Sequence, residues 1–280
     1  MILRSVVRSV EHNLSSFNKI AVWGAGRLGR QALREWLKGA TVKAIVDSNT
    51  ERIGSKVDGV SVISPAGFFK SDYDCVIICV TFHQELFSHI KENNFGGEIL
   101  FVWDLFKTSP QKKGELYNLL VDIAIQKDGS WIELFINNPQ IILNISYRFL
   151  RYAVKIQIPS FFLLIMRGFH ALLSVFFSIS IPETVEAGPG LVFHHYGGIV
   201  IHRKTVMGAF CVVYQGVTIG SNYSSEVPKL GNYVTLYAGS MVLGNAFLAD
   251  YTIVGANSVV IDLVCDERGK SLVGNPAKVL

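Results

Sequence analysis

The sequence predicts three parts in one chain: an α/β domain on a parallel sheet over residues 1–108, an apolar helical segment over 109–180, and a parallel β-helix over 181–280. Three observations carry this reading. Between Lys19 and Phe106 short apolar runs alternate with helical stretches. From Ser109 to Ser180 the pattern is helical and strongly apolar. From Ile181 onward an apolar residue recurs every six positions. At 280 residues, half of them apolar and 17% charged, the chain has the size for two domains and not the composition of a disordered one.

In the first part, "KIAVWGAGRLGRQALREWLKG" runs an apolar strand into a glycine turn and then an amphipathic helix. "VKAIVD", "DCVIICV" and "EILFVWD" read as later strands, and strands alternating with helices imply a parallel sheet of Rossmann type. Gly24, Gly26 and Gly29 form G-x-G-x-x-G in the context that pattern requires, after a strand and opening a helix. Glycines there let the backbone approach a phosphate at the positive end of a helix, and Asp47 ends the second strand where a ribose hydroxyl is commonly held. Two readings stay open: a site for a nucleotide or nucleotide-sugar on these four residues, or a tight turn in a domain that binds nothing. The unit is short, with "SNTERIGSKVDGVSVISPAGF" in place of a second crossover helix. That truncated form resembles the nucleotide-binding-like domain at the front of bacterial sugar-modifying enzymes, including acetyltransferases of nucleotide-linked amino sugars. No dyad for hydride transfer or epimerisation is present, so binding or scaffolding is the expectation.

The middle segment carries, from Ile156 to Ile181, only Arg167 and His170 as charged or titratable residues. Pro159 and the Arg167–His170 pair interrupt it as a membrane span, since a central arginine costs about 2.5–3.5 kcal/mol even on lenient scales. The expectation is helices buried against the next domain or between subunits. The alternative is a hydrophobic face resting on a membrane, with Arg148, Arg151 and Lys155 meeting anionic headgroups. The net charge of +4 includes no long Lys/Arg run, which argues against a nucleic-acid partner. The four cysteines (Cys75, Cys79, Cys211, Cys265) show no metal-ligand spacing and read as buried small hydrophobes in a reducing compartment. "MILRSVVRSVEHN" is a poor secretory signal, so the expected location is the cytoplasm, with the inner membrane face as the alternative.

In the last part Ala187 and Phe193 begin a six-residue register that Ile201, Met207, Val213 and Ile219 continue. Leu230, Leu236, Val242, Leu248, Val254 and Val260 hold it after a break. Three such hexads make one triangular coil, with the apolar residue pointing inward and a small residue at the corner. Two interruptions matter. Phe193 to Ile201 is a step of eight, so residues of "HHYGG" bulge out, and Ile219 to Leu230 is a step of eleven, so "GSNYSSEVPK" leaves the coil as a loop. Loops ejected from a solenoid are where binding surfaces are built.

These residues carry a resemblance. "GPGLVFHHYGGIVI", "CVVYQGVTIG", "YAGSMVLGN", "VGANSVV" and "VGNPAKVL" are similar to the histidine-glycine turn, the Gln-Gly-Val-Thr-Ile-Gly coil, the later rungs and the closing segment of the serine acetyltransferase family. That family has a left-handed β-helix. The branch that O-acetylates bacterial surface sugars is the nearest, and "SYRFLRY" resembles the helix that precedes the β-helix there. The resemblance implies a general base at His195, a role suited to a neutral imidazole whose pKa lies near working pH. It also implies acetyl-CoA in a groove between neighbouring β-helices of a homotrimer. Gly220, Ala238, Gly239 and Ala256 would admit the pantetheine arm, and Lys278 would meet the nucleotide phosphates. His194 and His195 are expected on opposite faces of one strand, and His202 on an ordinary rung, so no metal site is expected.

The departures concern the acceptor. The family's second substrate-site histidine is Val227 here, the arginine beside it is Glu226, and the aspartate that orients the base maps onto Ser180. A carboxyl-bearing amino acid needs cationic or hydrogen-bonding groups, so L-serine is not the expected acceptor. Glu183, Glu186 or a backbone carbonyl would have to orient His195. The expected function is an acetyl-CoA-dependent O-acetyltransferase acting on a sugar hydroxyl of a surface polysaccharide or its precursor, with backbone N–H groups near the bulge holding the oxyanion. The alternatives are an acetyltransferase of a soluble nucleotide-linked sugar held by the first domain, and a non-catalytic scaffold.

Overall fold

The structure, a computed structural model, describes residues 14–37, 39–79, 86, 89–90, 92–102, 114–126, 130–223 and 225–280. It divides into two compact units, Met1–Gln111 and Lys112–Leu280, so the apolar helices belong to the β-helix unit instead of standing between two domains.

In the first unit β1 (Ile20–Trp23), β2 (Val42–Val46), β4 (Val60–Ile63), β5 (Cys75–Ile78) and β6 (Glu98–Phe101) form one parallel sheet in the order β4-β2-β1-β5-β6. A short β3 (Lys56–Val57) pairs antiparallel with β4 at the edge. β1 and β5 are buried at every residue, which is why they read as continuous apolar runs without alternation. The first helix is brief, α1 (Arg27–Gln31) followed by a π-helical turn Ala32–Trp36. The hairpin β3–β4 and the single-turn α2 (Pro65–Phe69), capped by Ser64, occupy the stretch that lacks a long crossover helix.

The second unit opens with four helices: α3 (Glu115–Gln126), α4 (Trp131–Asn137), α5 (Ile141–Lys155) and α6 (Ser160–Phe177). Short strands then wind through three parallel sheets. The first holds β7 (Ile179–Ser180), β10 (Ile199–Ile201), β13 (Thr218–Gly220), β16 (Met241–Leu243) and β19 (Val259–Ile261). The second holds β8 (Glu186–Ala187), β11 (Val206–Met207), β14 (Lys229–Leu230), β17 (Phe247–Leu248) and β20 (Val264–Cys265). The third holds β9 (Val192–Phe193), β12 (Val212–Val213), β15 (Thr235–Leu236), β18 (Ile253–Val254) and β21 (Ser271–Gly274), with β22 (Ala277–Val279) returning antiparallel along β21. All twelve positions of the sequence register point inward, none more than 7% exposed. They stack in columns, such as Phe193, Val213, Leu236 and Val254 at successive levels.

Glycines at one corner are required by this stacking. A Cβ on Gly208 would lie 2.5 Å from the carbonyl carbon of Gly231, and one on Gly188 would lie 2.7 Å from the amide of Ala209. Both are closer than side-chain carbons approach a neighbouring backbone, so successive coils can meet there only through glycine.

The first coil would present a row of unpaired carbonyls, and α5 covers them. Asn144 donates to Leu191 O (2.9 Å), Tyr147 to Val185 O (2.7 Å), and Arg148 to Ala187 O (2.7 Å) and Gly188 O (2.6 Å), while Arg151 donates to Glu183 O and Val185 O. Asp122 of α3 completes the clasp. Its carboxylate accepts from Gly190 N and Leu191 N, and pairs with Arg148 at 2.8 Å, both side chains fully buried. This corrects the membrane alternative for two of the basic residues: Arg148 is enclosed by Asp122 and Glu115, and Arg151, its side chain only 10% exposed, pairs with Glu115 at 2.9 Å, while Lys155 pairs with Glu115 at 2.7 Å with its side chain more than half exposed. Desolvating a guanidinium is tolerable only with this degree of pairing. The expectation of burial also fails within the chain for α6. Only one strip of it packs inward, through the buried His170 and Phe177 and the half-buried Leu163, Met166 and Leu173, and its remaining large apolar side chains are exposed.

Candidate active site

β9 ends at Phe193 and β10 begins at Ile199, so residues 194–198 form the enlarged turn between the third and first sheets. Gly197 and Gly198 take positive φ (108° and 68°), a conformation that side chains resist. The turn is pinned from below and beside. Gly197 N donates to Phe177 O (3.0 Å), Gly198 N to Ser178 Oγ (3.3 Å), and Gln140 Nε2 to the carbonyls of Phe193 (2.9 Å) and His194 (3.4 Å). Those contacts occupy the amides of the two glycines. Among the described residues nothing accepts from the amides of His195 and Tyr196, which stay available at the turn.

The side-chain geometry corrects one expectation. Because 194 and 195 lie in a bend beyond the strand, their rings do not point to opposite faces but lie 4.7 Å apart. Tyr214 packs on His194 (4.6 Å) and reaches His195 (6.1 Å), and Tyr237 continues the stack at 5.0 Å. The argument against a shared metal that rested on opposed faces therefore falls away. Burial raises the Tyr214 hydroxyl above its ordinary pKa, so it stands neutral beside the imidazoles. His194, Tyr214 and Tyr237 each follow an inward residue (Phe193, Val213, Leu236), a positional signal that the sequence reading passed over.

Neither glutamate candidate for orienting His195 is bonded to it among the described residues. Glu183 pairs with Arg167 at 2.8 Å. Glu186 lines a separate cleft of about 480 Å³ with His202, Arg203, Lys204, Ser221 and Ser225, at the foot of the extruded loop. Ser180 sits on β7, opposite Val200. The loop itself leaves the coil between Gly220 and Lys229 as expected, with Tyr223 fully exposed and Asn222 bonded to Asp262 at 2.6 Å.

The His195 turn shares its corner with successive turns below it. Gly216 N donates to Gly197 O (2.8 Å), Gly239 N to Gln215 O (2.9 Å) and Asn257 N to Ala238 O (2.9 Å). The structure thus brings Ala238, Gly239 and Ala256 into line with His195, and adds Gln215, which the sequence reading missed. A Cβ on Gly239 would meet Asn257 Oδ1 at 2.3 Å. Gly220 is not part of this line: it ends β13 at the next corner, where its carbonyl accepts from Gly244 N (2.9 Å). Lys278 lies exposed on the return strand opposite Val273.

In the first unit the four motif residues do come together, in roles internal to the loop. A Cβ on Gly29 would lie 1.8 Å from Gly24 O, so that glycine serves the close approach of helix to strand. Gly24 has φ 114°, and Gly26 precedes a helix of only five residues. Asp47 accepts from Ala25 N (2.8 Å), Asn49 N (2.8 Å) and Arg52 (3.3 Å). Burial alone would raise its pKa, but those donors hold the carboxylate below its ordinary range. Its oxygens are thus committed to the glycine turn, through Ala25, and to its own loop, through Asn49 and Arg52.

Against this geometry, comparison with known proteins assigns the class. A family model described as C2185-like, N-terminal, matches residues 16–96. The serine acetyltransferase of Helicobacter pylori (strain 26695) is 34% identical over 122 residues, which span 42% of this chain and 70% of that protein. The chain belongs to the serine acetyltransferase family, with its hexapeptide-repeat β-helix. The putative colanic acid biosynthesis acetyltransferase WcaB of Escherichia coli K12 is 34% identical over 106 residues, 37% of this chain and 64% of that one. Against the longer serine acetyltransferases of Synechococcus elongatus and Haemophilus influenzae, the matched stretch spans only 42% and 41% of their length. Among solved structures, a serine acetyltransferase in complex with cysteine superposes with TM-score 0.51 at 25% identity, over 64% of this chain and 74% of that one. The soybean enzyme complexed with serine shares the fold at 22% identity and TM-score 0.52. The stacked parallel sheets fit the left-handed β-helix of these structures.

Proposed function

We propose that this protein is an O-acetyltransferase that moves the acetyl group of acetyl-CoA to a carbohydrate hydroxyl, with His195 as general base. The observation that carries the reading is the enlarged turn. It departs from an otherwise regular coil, presents His195 to solvent with two free amides beside it, and stands in line with the small residues Ala238, Gly239 and Ala256 on the coils below. In the reaction the imidazole of His195 takes the hydroxyl proton as the oxygen attacks the thioester carbon. The amides of His195 and Tyr196, which make no hydrogen bond among the described residues, hold the resulting oxyanion in this reading. Collapse breaks the carbon–sulfur bond, and the CoA thiolate recovers the proton from the imidazolium. Val227, Glu226 and Ser180 stand where the family holds an amino-acid carboxylate and orients its base, which supports a neutral, polyhydroxylated acceptor over serine. The name of the WcaB relative points the same way. The donor groove is completed by a neighbouring copy in a cyclic trimer, with Lys278 toward the nucleotide phosphates. The strand order of the first unit supports a Rossmann-type scaffold, and Asp47's commitment to the glycine turn favours scaffolding over nucleotide binding there.

Calorimetric titration with acetyl-CoA, followed by acetyl transfer to a panel of glycans, tests this. His195→Ala should bind acetyl-CoA as the parent does and lose about 10²–10⁴ in kcat. Transfer that survives the substitution, or no binding of acetyl-CoA by the folded protein, overturns the reading.

A further inference from the structure

The molecule leaves one apolar surface unaccounted for. On α6 the side chains of Phe161, Leu164, Ile165, Leu172, Val175 and Phe176 are each more than half exposed. At about 100° per residue these six span an arc of about 120° of the helix, which Phe169 and Phe162 widen to about 160°. No polar side chain falls inside it. The polar residues Ser160, Arg167 and Ser174 all lie along one border, and Arg167 is tied back to Glu183. In the same unit α4 exposes Trp131, Ile132 and Ile136.

We infer that this face of α6 lies in the surface of a lipid bilayer. A protein partner would need hydrogen-bonding groups in its footprint, about one per 100–200 Å², and the arc offers none. Its width exceeds the narrow seam of a two-helix coiled coil. A broad stripe of Phe, Leu, Ile and Val on a helix whose opposite side is anchored to the protein through His170, Leu173 and Phe177 is the form of a helix lying in a membrane surface. The helix is long and apolar enough for a bilayer, with a mean hydropathy of 1.8 over Ser160–Phe177 and little of it buried within the protein. The polar border has a consequence for the reaction. A cleft of about 700 Å³ runs along it, lined by Arg167, Ser174, Ser178, Ser180, Glu183 and Gly198, and Gly198 belongs to the His195 turn. With α6 immersed, that cleft opens at headgroup depth, so an acceptor glycan carried on a lipid would enter it from the membrane surface. This last step rests on the acetyltransferase reading; the docking does not.

The test is flotation of the full chain with vesicles of phosphatidylethanolamine and phosphatidylglycerol. The parent should float, and the variant carrying Leu164→Gln, Ile165→Gln and Leu172→Gln should partition at least about tenfold less. All three side chains are exposed, so the fold survives, and unchanged acetyl-CoA titration and circular dichroism check it. A parent that stays with the dense fraction, or a variant that floats equally well, overturns the inference. A variant that falls to a smaller oligomer while floating as before assigns the face to a second copy of the chain. Loss of acetyl transfer with flotation intact would count against the enzyme reading alone.

Discussion

At the scale of the residue, His195 is held by packing where a carboxylate would be expected. Its ring sits beside His194 and Tyr214, and Tyr237 supports the stack from the next coil. Tyr214→Phe keeps that stack and removes only a hydroxyl, so kcat/KM should stay within about threefold, whereas Tyr214→Ala should lose at least about tenfold by freeing both imidazoles. Steady-state kinetics on the two variants separates packing from hydrogen bonding. The corner glycines act on stability instead. Gly208→Ala drives a methyl against the Gly231 backbone at 2.5 Å, and overpacking of this kind costs about 1–3 kcal/mol, read from the urea midpoint.

At the scale of the element, α5 is a lid of hydrogen-bond donors. The apolar period and "SYRFLRY" made the helix legible, but nothing local in the sequence announces that Tyr147, Arg148 and Arg151 turn inward to carbonyls some thirty-five residues away. Arginine reads as surface, and the headgroup expectation followed from that prior. Only Asp122 and Glu115, distant in the chain, make its burial affordable. Asp122→Ala, which removes the nearer carboxylate of Arg148 and the acceptor of Gly190 N and Leu191 N, should cost about 3–5 kcal/mol in urea denaturation. Glu115 gives the pH dependence. Burial alone would raise its pKa, yet hydrogen bonds from Lys155 and Arg151 and the nearby guanidinium charges hold it below the ordinary value. A carboxyl depressed in the folded state contributes stability in full above its unfolded pKa, about 4.3, and loses it as pH falls through the folded value. Glu115→Gln should therefore lower the urea midpoint at neutral pH and flatten its decline below about pH 4.3.

For the whole molecule, the solenoid was the most legible part, because one inward residue per hexad repeats a single physical demand twelve times without exception. The sheet of the first unit was legible for a related reason, since strands covered on both faces show as unbroken apolar runs. The site was legible only as a place. The eight-residue step located the turn, while the pairing of the two histidines, the tyrosine stack and Gln215 depend on a bend and on register between coils, which no linear pattern displays. The proposed trimer should appear as three times the 31.0 kDa chain mass by light scattering in detergent-free buffer.

The clasp of α5 and Asp122 over the first coil also gives the solenoid a direction. A stack of identical rungs has no inherent end, and two bare ends would join as readily as two internal levels do. With the carbonyls of the first rung already bonded to side chains, no further rung can be added there, in cis or from another chain. Lengthening during evolution is thereby barred at that end, and filament growth through it is closed.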